Sequence, residues 1–472
     1  MKSLIKYSKR LFISLLFLLG ILIIAIFFSI PPSNDSSWRI VTPTLEGDLV
    51  FVNVNVIDVE LGKTSYSQDV FVSSGRIQKI VSTGVLSYIN YQLIDGENKY
   101  LSPGLIDSHV HLFEWQSLPR FLSSGVTTVR NMQGMPIHSR WKIAQRKWKL
   151  TGAKLISASP TINGNNNAGP FHQVVDNPSD AIELIKKYKK LNYDLIKVYS
   201  DLDKAVAKAI LDTASELSIP VSGHIIRSLT LTEQSSQMIS VEHIEDIYQT
   251  LLGNKYDAEK VKKIAKILID SNTSVTTSLV AFENILQASK EGKEMLSNIP
   301  FTSMNSFMQF LGEKTMNEYF ETKDNKWLRD KYSGMQKIVR YFDEAGVSLA
   351  MGTDTGPALT IPGYSVHEEL KLLSDAGLST KSILKTATIK GAELIGLSQS
   401  LGQVKVGFQA DLLLLEDNPL DSIDTLRQPI AVMGNGKVFT GKELISLQEL
   451  GLQHTSFYET VGGLIEHIAN LK

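Results

Sequence analysis

The sequence contains no cysteine. That absence excludes thiolate zinc sites, disulfides, cysteine nucleophiles and a lipid-modified N-terminal cysteine. It is compatible with an oxidising compartment. Histidine is scarce, with nine in 472 residues, so any concentration of them carries information. Charge of one sign is also missing: 48 Lys and Arg face 49 Asp and Glu, for a formal net charge of -1. Without a basic surplus there is no reason to expect a nucleic-acid partner. The length suits a barrel-sized domain plus a smaller one.

One long uncharged run is present, Leu11–Ile30, preceded by Lys2, Lys6, Lys9 and Arg10 and followed by Pro31 and Pro32. A bilayer span needs about 20 apolar residues, which this run supplies. Basic residues on its short side predict that side to be cytoplasmic. The expectation is an N-terminal transmembrane helix within residues 1–32, with the catalytic part extracytoplasmic. A cleaved signal sequence, giving a secreted or periplasmic protein, is the rival. Its apolar region is usually shorter, and no small-residue cleavage site stands near Ile30.

Residues 31–44 read as a linker rich in Pro, Ser and Asn. Val52, Val54 and Val56 then alternate with Asn53 and Asn55, the period of a strand. Ser74-Gly75 and Asn435-Gly436 are turn signals between further strand patterns. The two β-rich ends, 45–103 and 396–445, are expected to meet in one small β-sandwich. Between them, 104–395 alternates short apolar strands with amphipathic helices. The eight candidate strands are Leu105–His111, Val126–Asn131, Lys154–Ser159, Leu195–Tyr199, Pro220–His224, Ser240–His243, Ser274–Ser278 and Ser348–Thr353. The pattern predicts an α/β fold, a (β/α)8 TIM barrel. A doubly wound sheet is the alternative, but no glycine-rich phosphate loop follows the first strand. Residues 280–326 read as a helical insertion packing on itself, or as a lid. Residues 446–472 read as a C-terminal helix.

His109 and His111 share one face of a strand, because side chains alternate. Such a pair can offer two imidazoles to one metal ion, although most such pairs are ordinary histidines. Four of the nine histidines (His109, His111, His224 and His243) fall at predicted strand ends, joined there by Lys197 and Asp354. Strand ends are where barrel catalysis sits.

These residues lie within longer motifs: Ser102-Pro-Gly-Leu-Ile-Asp-Ser-His-Val-His111, Gly352-Thr-Asp-Thr-Gly356, Pro362-Gly-Tyr-Ser-Val-His-Glu-Glu-Leu370, Ala387-Thr388 and Gly407-Phe-Gln-Ala-Asp-Leu412. Together they make the chain resemble the amidohydrolase superfamily, specifically its imidazolonepropionase-related branch that includes Xaa-Pro dipeptidases. The resemblance spans nearly all of 48–440. It implies a binuclear centre in which Lys197, carboxylated by carbon dioxide, bridges two divalent metal ions. His109, His111, Lys197 and Asp354 would hold one ion; Lys197, His224 and His243 would hold the other. Zinc suits nitrogen and carboxylate ligands, as do manganese, iron and cobalt. An unmodified ammonium could not ligate a metal, and burial is what frees a lysine amine to react.

A hydroxide bridging two such ions stays deprotonated near neutral pH and attacks a carbonyl. Asp354 would act as general base and then acid. Tyr199 shares a strand face with Lys197, and His172 follows the Asn- and Gly-rich loop Asn163–Pro170; both are candidate substrate contacts. His138 stands near a helix start without an evident role. His367 and Glu369 are expected to anchor the helix after strand eight. Arg130 either binds a carboxylate or pairs structurally.

The expected function is hydrolysis of an amide bond in a small molecule, an Xaa-Pro dipeptide or an N-acyl amino acid. The same site could serve a deaminase, which Lys197 disfavours, or a lactone or phosphotriester hydrolase. A non-catalytic binding protein is the third class. A homo-oligomer is compatible with the sequence.

Overall fold

The computed structural model describes Gly20, residues 38–322 and residues 325–471. The expected membrane span, Leu11–Ile30, lies outside the described residues apart from Gly20. Among the described residues no helix is long and apolar enough to cross a membrane.

The eight barrel strands are Leu105–Val110, Val126–Asn131, Lys154–Ser157, Ile196–Val198, Val221–Gly223, Ser240–Val241, Ser274–Thr276 and Leu349–Ala350, each within the expected range. Neighbours pair in parallel. Two isolated parallel bridges close the ring, Ala158 to Leu195 between the third and fourth strands and Val110 to Thr355 between the eighth and the first. Closure pairs each of the eight barrel strands on both sides.

The outer helices form where apolar residues recur at helical spacing. Ala258–Asp270 buries Val261, Ile264, Ala265 and Leu268, one stripe facing the strands, and Asp257 caps it by accepting from Lys260 N at 3.1 Å. Pro178–Lys190 begins with Pro at its first turn and Asn177 as its cap, accepting from Asp180 N at 2.9 Å. Each fully buried Leu or Ile in such a stripe contributes about 1.5–3 kcal/mol.

The β-rich ends do meet, in one hydrogen-bonded nine-stranded sheet that folds over so that Gly75, at one end, touches Gly436, at the other. Its N-terminal part runs from Leu45 to Pro103 and its C-terminal part from Leu412 to Thr440. The seam is the antiparallel pairing of Tyr100–Pro103 with Leu412–Leu415. Phe51, Val70, Ile77, Leu412, Met433 and Val438 pack in a common core, so both chain ends contribute to it. Residues 441–445, assigned from sequence to the β unit, instead begin a helix. The single C-terminal helix expected for 446–472 is two, Gly441–Gly451 and Phe457–Asn470.

The insertion after the seventh strand folds as Leu279–Glu291, two short 3-10 turns and Ser306–Glu321. It packs on itself through Met295, Phe301, Met304, Met308 and Met316. It also packs on Leu359 and Ile361, from the loop after strand eight, and on Phe113, after strand one. The C-terminal helix lies beside it, with Phe457 at 5.8 Å from Phe307 between ring centroids.

Candidate metal centre

Strand alternation delivers the first site residues. Asp107, His109 and His111 share a face of strand one, and Lys197 stands mid-strand in strand four, fully enclosed. Two of the three remaining strand-end residues, His243 and Asp354, cannot follow the same rule. Glu242 faces the barrel interior, so alternation would send His243 outward; likewise Thr353 bonds inward to Asp107, so Asp354 should point away. The backbone reverses at both positions. His243 has φ 68° and Asp354 has φ 55°, conformations that L residues rarely adopt and that cost on the order of 1–3 kcal/mol. Hydrogen bonds hold them: His243 N donates to Thr276 Oγ1 at 3.0 Å, and Asp354 N to the His109 carbonyl at 2.8 Å. Gly352 permits the approach, since a Cβ there would sit 2.8 Å from the His109 Cβ.

The ligand-type atoms of His109, His243 and Asp354 all lie within 4.8 Å of one another. His111 adjoins them, its Nε2 at 3.3 Å from His109 Nε2 and 2.9 Å from Asp354 Oδ1. His224 lies on the far side of His243, with ring centroids 5.1 Å apart. Tyr199 stacks at 4.1 Å from His224, and His172 at 4.9 Å from Tyr199. His224 stands outside the tight trio, and the charges of Asp354 and Asp246 act on Lys197.

Burial, with the nearby Arg130 cation adding to it, lowers the Lys197 ammonium to about 8. Burial alone would raise Asp354; the neighbouring His243, His111 and His109 outweigh it and hold the carboxyl well below its usual range. Burial, followed by the charges of His243 and Lys197, keeps the His109 imidazole neutral. Burial pushes the Tyr199 phenol up to about 12, leaving it an O–H donor.

Three buried polar atoms here have no hydrogen-bond partner among the described residues: Lys197 Nζ, His243 Nδ1 and Asp354 Oδ1, the last touching His111 outside hydrogen-bonding geometry. Such atoms are costly to bury unsatisfied. Neutral imidazoles and an ionised carboxylate are donors that divalent metals use, and burial makes the Lys197 amine easier to deprotonate and so to modify. The residues therefore fit a metal centre.

Supporting carboxylates were not evident from the sequence. Glu242 Oε2 accepts from His109 Nδ1 at 2.6 Å, leaving Nε2 to face the site. Of the two roles open to Arg130, the structure shows the structural one: it pairs with both Glu242 oxygens at 2.8 and 2.9 Å and reaches across the barrel to Ser222 and Ser240. Asp246 plays the same part for His224, at 3.4 Å from Nδ1. Asp107 joins strands one and eight, accepting from His109 N, Thr353 N and Thr353 Oγ1. One sequence signal was available: an arginine inside an otherwise apolar strand must find a buried carboxylate.

His138 and Glu369 take structural roles. His138 is fully buried; its Nδ1 accepts from Met135 N and its Nε2 donates to the Leu112 carbonyl at 2.9 Å, tying helix Pro136–Arg146 to the loop after strand one. Glu369 does anchor its own helix after strand eight, Tyr364–Asp375, by accepting from Leu279 N, Val280 N and Thr277 Oγ1, and so also caps the helix after strand seven.

The chain from 100 to 439 matches the amidohydrolase family. It belongs to that family. It is 24% identical over 206 residues to ochratoxinase of Aspergillus niger, a match spanning 40% of this chain and only 42% of that relative. Among solved structures, a bottromycin amidohydrolase superposes with TM-score 0.73 at 22% identity, covering 91% of this chain and 93% of that one. A Xaa-Pro dipeptidase with methionine in its active site gives TM-score 0.65 at 19% identity, covering 84% of this chain and 100% of that one. These likenesses establish the fold, a TIM-type barrel with an attached sheet domain.

Proposed function

We propose that this amidohydrolase-family chain is a binuclear metal-dependent hydrolase that cleaves the amide bond of an Xaa-Pro dipeptide or an N-acyl amino acid. The observation that carries the reading is that three buried atoms without a partner among the described residues, Lys197 Nζ, His243 Nδ1 and Asp354 Oδ1, belong to residues whose charges act on one another. His109, His111, Asp354 and carboxylated Lys197 would hold one ion; Lys197, His224 and His243 would hold the other. Bound divalent cations would supply a water of lowered pKa and polarise the scissile carbonyl.

The chain's own residues do the rest. The ionised Asp354 takes a proton from the attacking water and returns it to the departing nitrogen, so that an amine rather than an amide anion leaves. Glu242 and Asp246 fix the tautomers of His109 and His224. Tyr199, a protonated phenol beside His224, offers a hydrogen bond to a substrate oxygen, with His172 packed against it. The printed name of one solved neighbour, a Xaa-Pro dipeptidase, supports an amide substrate.

The full chain, loaded with zinc and bicarbonate, should release a free amino acid from some member of a dipeptide and N-acyl-amino-acid library. Release of ammonia instead would identify a deaminase, and metal-loaded protein inert towards every compound would remove the hydrolase reading. The basic residues before Leu11–Ile30 support a location anchored in a membrane with the barrel extracytoplasmic. Recovery of the intact chain in the soluble fraction would overturn that.

A further inference from the structure

The last helix, Phe457–Asn470, is apolar on two sides. Thr460, Leu464 and His467 are buried against the rest of the fold. A second arc, Phe457, Tyr458, Val461, Ile465 and Ile468, follows the same helical spacing and faces outward. Phe457, Tyr458, Ile465 and Ile468 are 39–58% exposed, and Val461 among them is half-buried. The acids of the helix are engaged elsewhere. Glu466 pairs with Arg140 at 2.6 and 2.7 Å, and Glu459 Oε2 accepts from Ser456 N at 2.9 Å to close the N-terminal cap. The outward arc is therefore uncharged as well as apolar. It extends towards the insertion through Phe307, 5.8 Å from Phe457 between ring centroids, with Phe310 exposed one turn further on.

The chain enters the fold against this same helix. Trp38, where the continuous described chain begins, lines a cavity together with Gly463 and Leu464. Ile30, the end of the long apolar run, precedes it by eight residues. Fully extended, that length reaches about 29 Å at most. A run that spans a bilayer therefore leaves the membrane within that distance of the place where the chain meets the helix.

We propose that the outward arc of Phe457–Asn470 docks on the lipid bilayer and holds the end of the barrel that carries the metal centre at the membrane surface. The proposal rests on the anchored location above and adds to it a surface and an orientation. The orientation follows from two contacts. Glu114, in the loop after strand one, accepts from His454 Nδ1 and Thr455 N, just ahead of the helix. The helix also packs beside the insertion after strand seven. Both contacts lie at the C-terminal ends of strands, the end that bears His111 and His243. An interfacial helix buries an aromatic and aliphatic face about 5–10 Å into the headgroup boundary, a depth that suits Tyr458. With no cation on the arc, docking needs no anionic lipid. A second copy of the chain could cover the arc only at sufficient concentration, whereas the tether holds the bilayer beside it at every concentration.

The chain has no cysteine, so single spin labels can be attached at Ile465→Cys and Ile468→Cys. Ile269→Cys is the reference, exposed at the opposite end of the barrel where Ala258–Asp270 ends ahead of strand seven. The full chain is reconstituted in phosphatidylcholine vesicles, and label depth is read from collision with oxygen against a water-soluble nickel chelate. Labels at 465 and 468 should lie about 5–10 Å inside the headgroup boundary, with the label at 269 in water. Labels at 465 and 468 that stay aqueous on vesicle-bound chain overturn the docking and leave the anchored location standing. Chain that fails to float with the vesicles overturns both. Labels shielded from oxygen and chelate alike show that protein covers the arc, whether a second copy or Leu11–Ile30 itself, and overturn the proposal.

Discussion

Glu242 stands behind His109, its Oε2 2.6 Å from Nδ1, and the same carboxylate is gripped by Arg130 and by the hydroxyls of Ser240 and Thr276. Burial works to raise Glu242, but Arg130 and His109 hold it well below the usual carboxylate range, so it stays an acceptor and fixes the tautomer of His109. Glu242→Gln, nearly isosteric, should therefore weaken metal retention about 10- to 100-fold. Metal content after dialysis against graded chelator measures this; retention equal to wild type would mean that Glu242 does not orient His109.

Arg130 crosses the barrel interior and is almost wholly buried. Arg130→Met leaves Glu242 charged and without its main partner, and should cost about 3–5 kcal/mol. The double variant Arg130→Met, Glu242→Met removes both charges and should be the more stable of the two. Denaturant unfolding of the pair checks the order; a double variant less stable than the single would show that the ion pair is itself stabilising.

His138 gives the pH prediction. Burial depresses its imidazole to about 3, against an ordinary value of 6.5. The unfolded chain binds the extra proton, so the stability this group contributes is present above about pH 6.5 and is lost as pH falls towards 3. At pH 5 the loss is about 2 kcal/mol relative to pH 7. The stability difference between wild type and His138→Gln should shrink by that amount between the two pH values. A pH-independent difference contradicts it.

Glu114 joins three segments distant in sequence: its oxygens accept from Asn305 Nδ2 at 3.0 Å, Thr455 N at 3.1 Å and His454 Nδ1 at 2.9 Å. Asn305 in turn caps Ser306–Glu321. Glu114→Ala should speed amide hydrogen exchange in both 301–321 and 453–470 while the barrel strands keep their protection. Loosening of one segment alone would show that the carboxylate does not couple them.

Much of this was legible in the sequence because barrel strands obey simple rules. Short apolar runs alternating with helical stripes located all eight strands, and period-two alternation put His109 and His111 on one face. The unreadable part depends on exceptions. Nothing local marks His243 or Asp354 as having positive φ, and Glu242, one residue before His243, looks no different from a surface acid. Its role exists only because Arg130, 112 residues earlier, meets it across the barrel. Glu369 shows the same limit: its motif is local, but the helix it caps begins 90 residues before it.

The central claim is that Lys197 joins two metal ions, and metal stoichiometry tests it most directly. Chain purified with zinc and bicarbonate should carry two ions, counted by elemental analysis, and Lys197→Ala should carry one or none while keeping its far-ultraviolet circular dichroism. Two ions retained by folded Lys197→Ala, or none in the wild type, would contradict it.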